Sequence, residues 1–343
     1  MSVDLNREKI LVTGATGHLG SQICYLLTQQ GLRPIAHCRA SSDTAFIDRL
    51  GLEKRTADFR IRPELAGLVQ GVGAIVHTAA WVSFRGDKLT QFTGINTMGA
   101  LELYRAACQA GVKRFVHVST VAAVGARPLG TSEASDINRR LTESWGFNLG
   151  HLKVPYIMTK RAAEEELLKM AAEGDPELVI VNPSIIISPS FEGDDRARAI
   201  RAFHLPIVPD HPNLVNLVDV RDAARGTLCA LAKGRPGERY ILGGDDISVR
   251  ELMLTISDLL GRAPHLVRFP RWMIRAAGKF RLPVGRLAGA KLRGYPDLAR
   301  FADYDWTYSS RKAIDHLGYR PRSIFATLRD LLNNNFTGSY ARP

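Results

Sequence analysis

Cysteine is scarce in this sequence, and the four cysteines form no recognisable metal or disulfide pattern. They lie far apart, at Cys24, Cys38, Cys108 and Cys229, with no Cys-x-x-Cys pair and no Cys/His cluster. Structural zinc sites and the disulfide frameworks of small secreted proteins need clustered or regularly spaced cysteines. The scarcity argues against both, and we expect a protein of a reducing compartment without a bound metal.

Long apolar runs are also missing. No uninterrupted apolar stretch approaches the roughly 20 residues that a membrane-spanning helix needs. The N-terminus carries Asp4 and Glu8 before its first apolar run, whereas a secretory signal begins with basic residues. The chain has neither an internal repeat nor a low-complexity tract. These absences predict a cytoplasmic protein.

Acidic residues are in short supply. The 46 Lys and Arg outnumber the 34 Asp and Glu, which gives a net charge of +12. Between Arg262 and Arg300, ten basic residues accompany a single acid, Asp297. A basic surface can attract nucleic acid, anionic lipid or an anionic substrate. The plainer interpretation is a solvated cap whose charge serves solubility, and we expect no specific nucleic-acid partner.

Short apolar runs alternate with helical patterns over the first half of the chain, as in βαβ units on a parallel sheet. The length of 343 residues, with 45% hydrophobic and 23% charged residues, suits about two domains of ordinary folded protein. We predict strands at Lys9–Thr13, Pro34–Cys38, Ala74–His77, Arg114–Val118, Leu178–Val181, Asn216–Val218 and Tyr240–Leu242, and helices at Leu19–Gln30, Asn96–Ala110 and Tyr156–Ala172.

These elements predict an α/β fold, a Rossmann-type doubly wound parallel sheet with a smaller C-terminal substrate-binding cap. Residues 1–190 would form the dinucleotide-binding domain, completed by returning strands near 214–245. Residues 191–343 would mainly bind substrate.

A glycine-rich turn, Thr13-Gly-Ala-Thr-Gly-His-Leu-Gly20, follows the first strand and opens the first helix. Gly14 would allow the tight turn, Gly17 the approach of a pyrophosphate to the backbone, and Gly20 close packing of the helix. The helix N-terminus would face the anion. At this junction the motif predicts a dinucleotide site.

The end of the second strand indicates which dinucleotide is used. An acid there binds the ribose hydroxyls of NAD, whereas a basic residue accommodates the 2′-phosphate of NADP. Arg39 follows this strand, and no acid occurs before Asp43. Arg39 therefore favours NADP, although it could be an ordinary surface arginine.

Tyr156 and Lys160 open a predicted helix four residues apart, so that the phenol and the ammonium lie on one face. A nearby ammonium and a cationic nicotinamide both favour the phenolate, which lets a tyrosine act as a general acid or base near neutral pH. The preceding strand ends in Ser119 and Thr120, whose hydroxyls could hold a carbonyl or alcohol oxygen.

Together these motifs resemble the extended short-chain dehydrogenase/reductase superfamily, over nearly the whole chain. The resemblance implies Thr120 as the catalytic hydroxyl, with Ser119 as its alternate, Tyr156 as the acid or base and Lys160 as its partner. The cofactor-binding residues that it implies are Gly14, Thr16, Gly17, His18, Leu19, Gly20, Arg39, Asp58, Phe59, Thr78, Ala79, Ala80, Asn96, Lys160, Pro183 and Ser184.

Two branches of that superfamily remain open. Sugar-nucleotide enzymes usually carry an asparagine where this chain has Ile185, within the apolar run Ile185–Ile187. The difference favours the branch of dihydroflavonol reductases and 3β-hydroxysteroid dehydrogenases. The alternative is a nucleotide-sugar epimerase or dehydratase that retains NAD, and a third is a sensor or scaffold that binds NADP without turnover.

Aromatic residues follow several predicted strand ends, and we assign Trp81, Phe84, Trp145 and Phe191 to a substrate pocket for a hydrophobic carbonyl compound. Each could instead pack the cap onto the sheet. The segment Phe269–Leu282 mixes aromatic and basic residues and could touch a membrane surface, or simply be a cap helix. We interpret His117 and His204 as structural.

The sequence thus predicts an NADP-preferring oxidoreductase that transfers hydride between the nicotinamide and a carbonyl or secondary alcohol of a small hydrophobic molecule. NAD is the alternative cofactor. By the same resemblance, we expect a homodimer formed through the helices that carry Asn96 and Tyr156.

Overall fold

The computed structural model describes residues 7–83, 89–129, 140–172, 174, 176–187, 207–209, 213–259, 261, 265–267, 300–301 and 303–332. The predicted pocket residues Phe84 and Phe191, together with His204, lie outside the described residues. So does the stretch 268–299, which holds most of the basic segment and the whole of Phe269–Leu282.

Seven parallel strands form the central sheet, in the order β11-β7-β5-β4-β1-β2-β3. The strand bounds are β1 Ile10–Thr13, β2 Ile35–Cys38, β3 Lys54–Thr56, β4 Ala74–His77, β5 Arg114–Val118, β7 Glu177–Pro183 and β11 Arg239–Leu242. Most of these strands are short apolar runs buried on both faces, which is the pattern of a parallel sheet covered by helices.

Helices cover both faces of the sheet. In chain order they are α1 His18–Gln29, α2 Ala45–Arg49, α3 Arg62–Val69, α4 Leu89–Phe92, α5 Ala100–Gln109, α6 Pro155–Ala171, α7 Val220–Lys233, α8 Val249–Leu259, α9 Arg311–Leu317 and α10 Ile324–Leu332. Alternate strand residues serve opposite cores: Val12 packs with α1 and α7, whereas Leu11 packs with α3, α5 and α6. The fold is therefore a doubly wound Rossmann-type sheet, as predicted.

The main strands and helices predicted from the sequence are present. Two strands, Ala74–His77 and Arg114–Val118, have the predicted bounds, and the helix that begins with the Tyr156 motif starts one residue earlier, at Pro155. Proline suits the first turn of a helix because its missing N–H would have no partner there.

The two returning strands predicted near 214–245 lie in different sheets. Tyr240–Leu242 lies in β11, at the edge of the main sheet beside β7. Asn216–Val218 lies in β10, Leu214–Asp219, which joins a second sheet with β8, Ile185–Ile187, and β12, Asp245–Ser248. Two further pairs are β6 with β14 (Arg127–Pro128 and Tyr304–Asp305) and β9 with β13 (Ile207–Pro209 and His265–Val267).

The helix predicted from Asn96 to Ala110 is not a uniform α-helix. Helices α4 and α5 are joined by a π-helix, Thr93–Gly99, with hydrogen bonds five residues apart. Periodicity alone did not reveal this segment, since a π-helix shifts the apolar pattern by about one residue. Asn96 lies inside it, and is buried.

The last described helices are tied to the sheet by buried carboxylates. Asp222, in α7, accepts hydrogen bonds from the backbone and guanidinium of Arg322. Asp219 accepts a hydrogen bond of 2.8 Å from the Thr327 hydroxyl in α10. None of the helices in the described ranges is both long and apolar enough to cross a membrane.

Candidate active site

The glycine-rich turn lies where the chain order of the strands reverses, between β1 and β4. Gly14 has φ of +66°, and a Cβ there would lie 2.9 Å from the Ala79 backbone. A Cβ on Gly20 would lie 2.2 Å from the Gly14 carbonyl oxygen. Side chains are therefore excluded at both positions, and the carboxyl edge at this reversal is where such sheets bind ligands.

Gly17 caps the N-terminus of α1 with extended backbone and no side-chain hydrogen bond. Gly17 and His18 are exposed, Thr16 is half-buried, and Leu19 packs into the core. The amide groups of the first turn of α1 therefore face an open surface, which suits an anionic phosphate.

The loop after β4 is bound to the end of β1. The Thr78 hydroxyl donates to the Thr13 carbonyl at 2.6 Å, and the Ala79 amide donates to the Thr13 hydroxyl at 3.3 Å. Thr78, Ala79 and Ala80 are half-buried. This small-residue turn keeps the loop close to the glycine-rich turn.

Asn96 joins this loop to the helix that carries the Tyr156 motif. Its side chain accepts from the Trp81 amide at 2.7 Å and donates to the Trp81 carbonyl at 3.0 Å. It also donates to the Thr159 hydroxyl at 3.3 Å. Asn96 therefore positions the loop and α6 relative to each other.

Two arginines, Arg39 and Arg60, follow the ends of β2 and β3. Arg39 is exposed and directly follows β2. The carboxylate of Asp58 pairs with the guanidinium of Arg60 at 2.5 Å and also accepts from the Arg60 amide. These hydrogen bonds lower the pKa of Asp58 to about 2. The sequence analysis did not name Arg60 as the partner of Asp58, although it stands only two residues away.

Phe59 differs from its neighbour Asp58 because it is a core residue. It is 7% exposed and packs edge to face against the imidazoles of His37, at 4.8 Å, and His77, at 5.4 Å between ring centres. Its side chain packs in the core of the sheet and holds the two imidazoles in place.

Tyr156 lies in the first turn of α6, and its phenol hydrogen-bonds the side chain of Thr120. Burial raises the pKa of Tyr156 to about 12, although the bond to Thr120 opposes the rise. The sequence analysis expected the ammonium of Lys160 to favour the phenolate. In the structure the pKa of Tyr156 is instead governed by burial, since removal from water penalises the charged form, and the opposing influence is the hydrogen bond to Thr120.

Lys160 is buried one turn after Tyr156, with 2% of its surface exposed. Its ammonium donates to the Val118 carbonyl at 2.6 Å and lies 3.5 Å from Nε2 of His117. Burial lowers the pKa of Lys160 to about 8, partly opposed by the charge of Glu164. The ammonium is therefore anchored at the end of β5.

Thr120, rather than Ser119, is the hydroxyl that reaches Tyr156. The Thr120 hydroxyl also accepts from the Ala122 amide at 3.3 Å, and its carbonyl accepts from Asn182 at 2.9 Å. The Ser119 hydroxyl is buried and has no hydrogen-bond partner among the described residues.

Apolar side chains lie at the same edge of the sheet. Ile185 follows β7 and is 48% exposed, and Val82 follows Trp81 and is 59% exposed. Trp145 packs in a cluster with Tyr156 and Val121. Trp145 is thus a packing residue, whereas Ile185 and Val82 are about half exposed.

The site fits a nicotinamide dinucleotide. The glycine turn leaves room for a pyrophosphate, and the exposed helix N-terminus supplies its donors. Pro183 ends β7 and Ser184 follows it, with a buried hydroxyl that has no partner among the described residues. Lys160 and Tyr156 lie at the carboxyl end of β5, where they contact Val118 and Thr120.

Comparisons with known proteins agree with this geometry. The model of the NAD dependent epimerase/dehydratase family matches residues 10–243. Sterol demethylase protein B of Methylococcus capsulatus is 33% identical over 266 residues, 77% of this chain and 78% of the relative. A Synechocystis protein named after dihydroflavonol 4-reductase is 29% identical over 332 residues, 94% of this chain and 93% of the relative.

A solved structure is similar over almost the entire chain. The crystal structure of gox2253 superposes with a TM-score of 0.78 at 27% identity, covering 98% of this chain and 100% of that one. The family match, the fold and the glycine-rich turn lead to one conclusion. The chain belongs to the NAD dependent epimerase/dehydratase family and is an NAD(P)-dependent enzyme of the extended short-chain dehydrogenase/reductase type.

Proposed function

We propose that this enzyme is an NADP-preferring reductase of a hydrophobic ketone or aldehyde, acting reversibly on the corresponding alcohol. The observation that carries the proposal is the hydrogen bond between the Tyr156 phenol and the Thr120 side chain, at the carboxyl edge of β5. It places a proton donor beside a second hydroxyl, next to the dinucleotide turn.

The nicotinamide, when bound, supplies or accepts the hydride. A pKa of about 12 keeps the Tyr156 phenol protonated at neutral pH, so it is ready to donate its proton to the oxygen of a carbonyl substrate. Thr120 orients that oxygen by a hydrogen bond. Lys160, anchored on the Val118 carbonyl, provides positive charge beside the phenolate that forms.

The preference for NADP rests on the charges at the ends of β2 and β3. Arg39 is exposed where the 2′-phosphate would lie, and the Asp58 carboxylate is already paired with Arg60. A free carboxylate would repel the phosphate, and this pairing offsets its charge.

The hydrophobic substrate is supported by the side chains around the reacting edge. Ile185 places an exposed alkyl group where sugar-nucleotide enzymes usually have an amide, and Val82 adds another. The names of two relatives, a sterol demethylase protein and a dihydroflavonol reductase, refer to ring compounds. Apolar rings would gain from burial against such a surface.

The test begins with release and identification of any nucleotide that copurifies with the protein. NADPH and NADH are then titrated into the emptied protein, for wild type and Arg39→Ala. We expect exchangeable binding with NADPH tighter, and about a tenfold loss of NADPH affinity, with NADH affinity nearly unchanged, in the variant. Tightly retained NAD would overturn the proposal in favour of a sugar-nucleotide epimerase.

Turnover is tested next with a panel of cyclic and long-chain ketones, followed by the loss of NADPH absorbance, with UDP-glucose in a parallel epimerase assay. Tyr156→Phe is expected to lower ketone turnover by about 100-fold or more while NADPH still binds. Binding of NADPH with no turnover of any substrate class would favour the sensor or scaffold alternative.

The same proposal includes a cytoplasmic homodimer. All four cysteines are free in the structure, and Cys24 and Cys38 are buried, which suits a reducing compartment. Leu89 and Met98 are about half exposed beside the segment that carries Asn96, and would be covered in a dimer. Cell fractionation tests the location, and light scattering tests the assembly. A monomer at micromolar concentration would contradict the latter.

A further inference from the structure

A row of histidines crosses the sheet beneath the proposed site. His77 in β4 lies opposite Thr13 of β1 on one side and His117 of β5 on the other. The rings of His77 and His117 are 5.4 Å apart, and both side chains are buried. Burial and the nearby charge of Lys160 hold the pKa of each well below its usual range. Both imidazoles are therefore neutral at neutral pH.

The Lys160 ammonium determines how His117 must be protonated. An ammonium has three donors and no acceptor, so the nitrogen that it meets has to accept. The nitrogen 3.5 Å from the Lys160 Nζ is Nε2 of His117. For Nε2 to accept, the proton of the neutral His117 ring has to sit on Nδ1, an atom that has no hydrogen-bond partner among the described residues.

We infer that His117 is a positioning residue that, with the Val118 carbonyl, holds the Lys160 ammonium by accepting one of its hydrogen bonds. This inference rests on the proposed function for its role in the reaction. Two of the three Lys160 donors are then used within the chain, which leaves one donor for a bound cofactor. This assignment adds a specific contact to the structural role that the sequence analysis gave His117.

The groups around Lys160 show why an acceptor at His117 would affect the charge of the ammonium. His117 and His77 face it from the sheet, and Tyr156 precedes it on α6. Glu164 follows it on the same helix, pairs with Arg239 at 3.4 Å and accepts a hydrogen bond from Asn182. The charge of Glu164 raises the pKa of Lys160, while Val118 and His117 supply the acceptors for the ammonium itself.

The first experiment uses the wild-type protein alone. Long-range proton–nitrogen spectra of the protein labelled with ¹⁵N-histidine report the tautomer of each ring, and loss of one set of signals in His117→Gln assigns His117. We expect neutral His117 with its proton on Nδ1 at about pH 7. A proton on Nε2, or a doubly protonated ring, would overturn the inference.

The second experiment compares two substitutions at the same position. His117→Phe keeps a flat ring but removes the acceptor, whereas His117→Gln can place an amide oxygen near the position of Nε2. Lysine side chains labelled with ¹³C at Cε are titrated from about pH 6 to about pH 11, with Lys160 assigned from Lys160→Arg. We expect the pKa of Lys160 to fall by about 1 further pH unit in His117→Phe and to be largely restored in His117→Gln.

Cofactor binding supplies a third readout, with NADPH as the probe. The Kd is expected to rise about tenfold in His117→Phe and less than about threefold in His117→Gln. Tyr104→Phe is the matched control, since it removes a buried hydrogen bond to the Pro176 carbonyl without touching Lys160. It should lower stability but leave the Lys160 titration unchanged.

These outcomes separate the inference from the proposed function. Equal titrations of Lys160 in wild type and both His117 variants would refute the positioning role. If the protein bound no NADPH at all, the proposed function would fail, while the tautomer and the lysine titration would still decide the contact between His117 and Lys160. Should His117→Phe not fold, the wild-type tautomer and His117→Gln still decide it.

Discussion

Replacing Gly20 by alanine is expected to weaken both the fold and the binding of NADP(H), although alanine is the better helix former. Gly20 is buried in the first turn of α1. A Cβ there would lie 2.2 Å from the Gly14 carbonyl oxygen and 2.9 Å from the Thr78 hydroxyl. Both distances are far shorter than the roughly 3.5 Å of an ordinary contact, so the turn would have to move.

The magnitude follows from two opposing effects. At an open helical position, alanine stabilises relative to glycine by about 0.5–1 kcal/mol. Overpacking typically costs about 1–3 kcal/mol. A Cβ on Gly17 would lie 3.2 Å from the same carbonyl oxygen, and relieving the Gly20 clash to that distance needs a shift of about 1 Å. With both effects at the middle of their ranges, the net loss of unfolding free energy is about 1 kcal/mol.

Gly67 provides the matched control. It lies in α3 and is exposed, and a Cβ there would meet nothing within 4 Å. Gly67→Ala should therefore stabilise the protein by about 0.5–1 kcal/mol, because only the helix preference operates. Urea denaturation of both variants measures the two signs, and NADPH titration should show at least about a tenfold loss of affinity for Gly20→Ala alone.

Gly20→Ala would refute the reasoning if it raised the urea midpoint as Gly67→Ala does. Unchanged stability combined with unchanged NADPH affinity would do the same, since it would mean that the turn around Gly14 yields at no cost.

Three further predictions concern the hydroxyls of Thr120 and Ser119, the backbone of Lys153 and the charge of Lys160. Thr120→Ala should reduce kcat by about 100-fold, and Ser119→Ala by less than about fivefold, because Thr120 contacts Tyr156. Lys153 has φ of +50°, so Lys153→Gly should raise the unfolding free energy by about 1 kcal/mol in urea. The pKa of Lys160 is lowered to about 8, so its charge destabilises the fold below that pH and the cost disappears as pH rises toward the unfolded value. Lys160→Met should therefore gain stability relative to wild type by more at about pH 7 than at about pH 10.5.

Each has an outcome that contradicts it. A larger effect of Ser119→Ala would reassign the catalytic hydroxyl. Loss of stability in Lys153→Gly would mean that its side chain makes contacts worth more than the strain. A pH-independent difference between Lys160→Met and wild type would show that Lys160 titrates as an exposed lysine does.

The sequence predicted the central sheet of this molecule because most of its strands are buried on both faces. Ala74–His77 and Arg114–Val118 read as short, β-branched apolar runs, and the two strands have those bounds. A parallel sheet allows few other environments for such runs. The glycine-rich turn was also predictable from the sequence, because the Gly14 carbonyl lies so close to Gly20 that only glycine fits there.

The remaining features depend on contacts between residues that are distant in sequence. No local pattern indicates that His117 meets the Lys160 ammonium, because strand register and helix rotation decide that contact. The choice between Ser119 and Thr120 also depended on which way the chain turns after β5. The raised pKa of Tyr156 reflects burial, which the spacing of tyrosine and lysine does not reveal.

The π-helix at Thr93–Gly99 has a consequence for how this family member can tolerate insertions and deletions. Each i→i+5 turn holds one residue more than an α-turn, so deleting a single residue there would leave a regular helix rather than a broken one. The deletion would turn Asn96 by about 100° relative to the Tyr104 side of α5. The helix would survive such an indel, but the amide that holds the Trp81 loop and the apolar face that packs on the sheet could no longer both be satisfied.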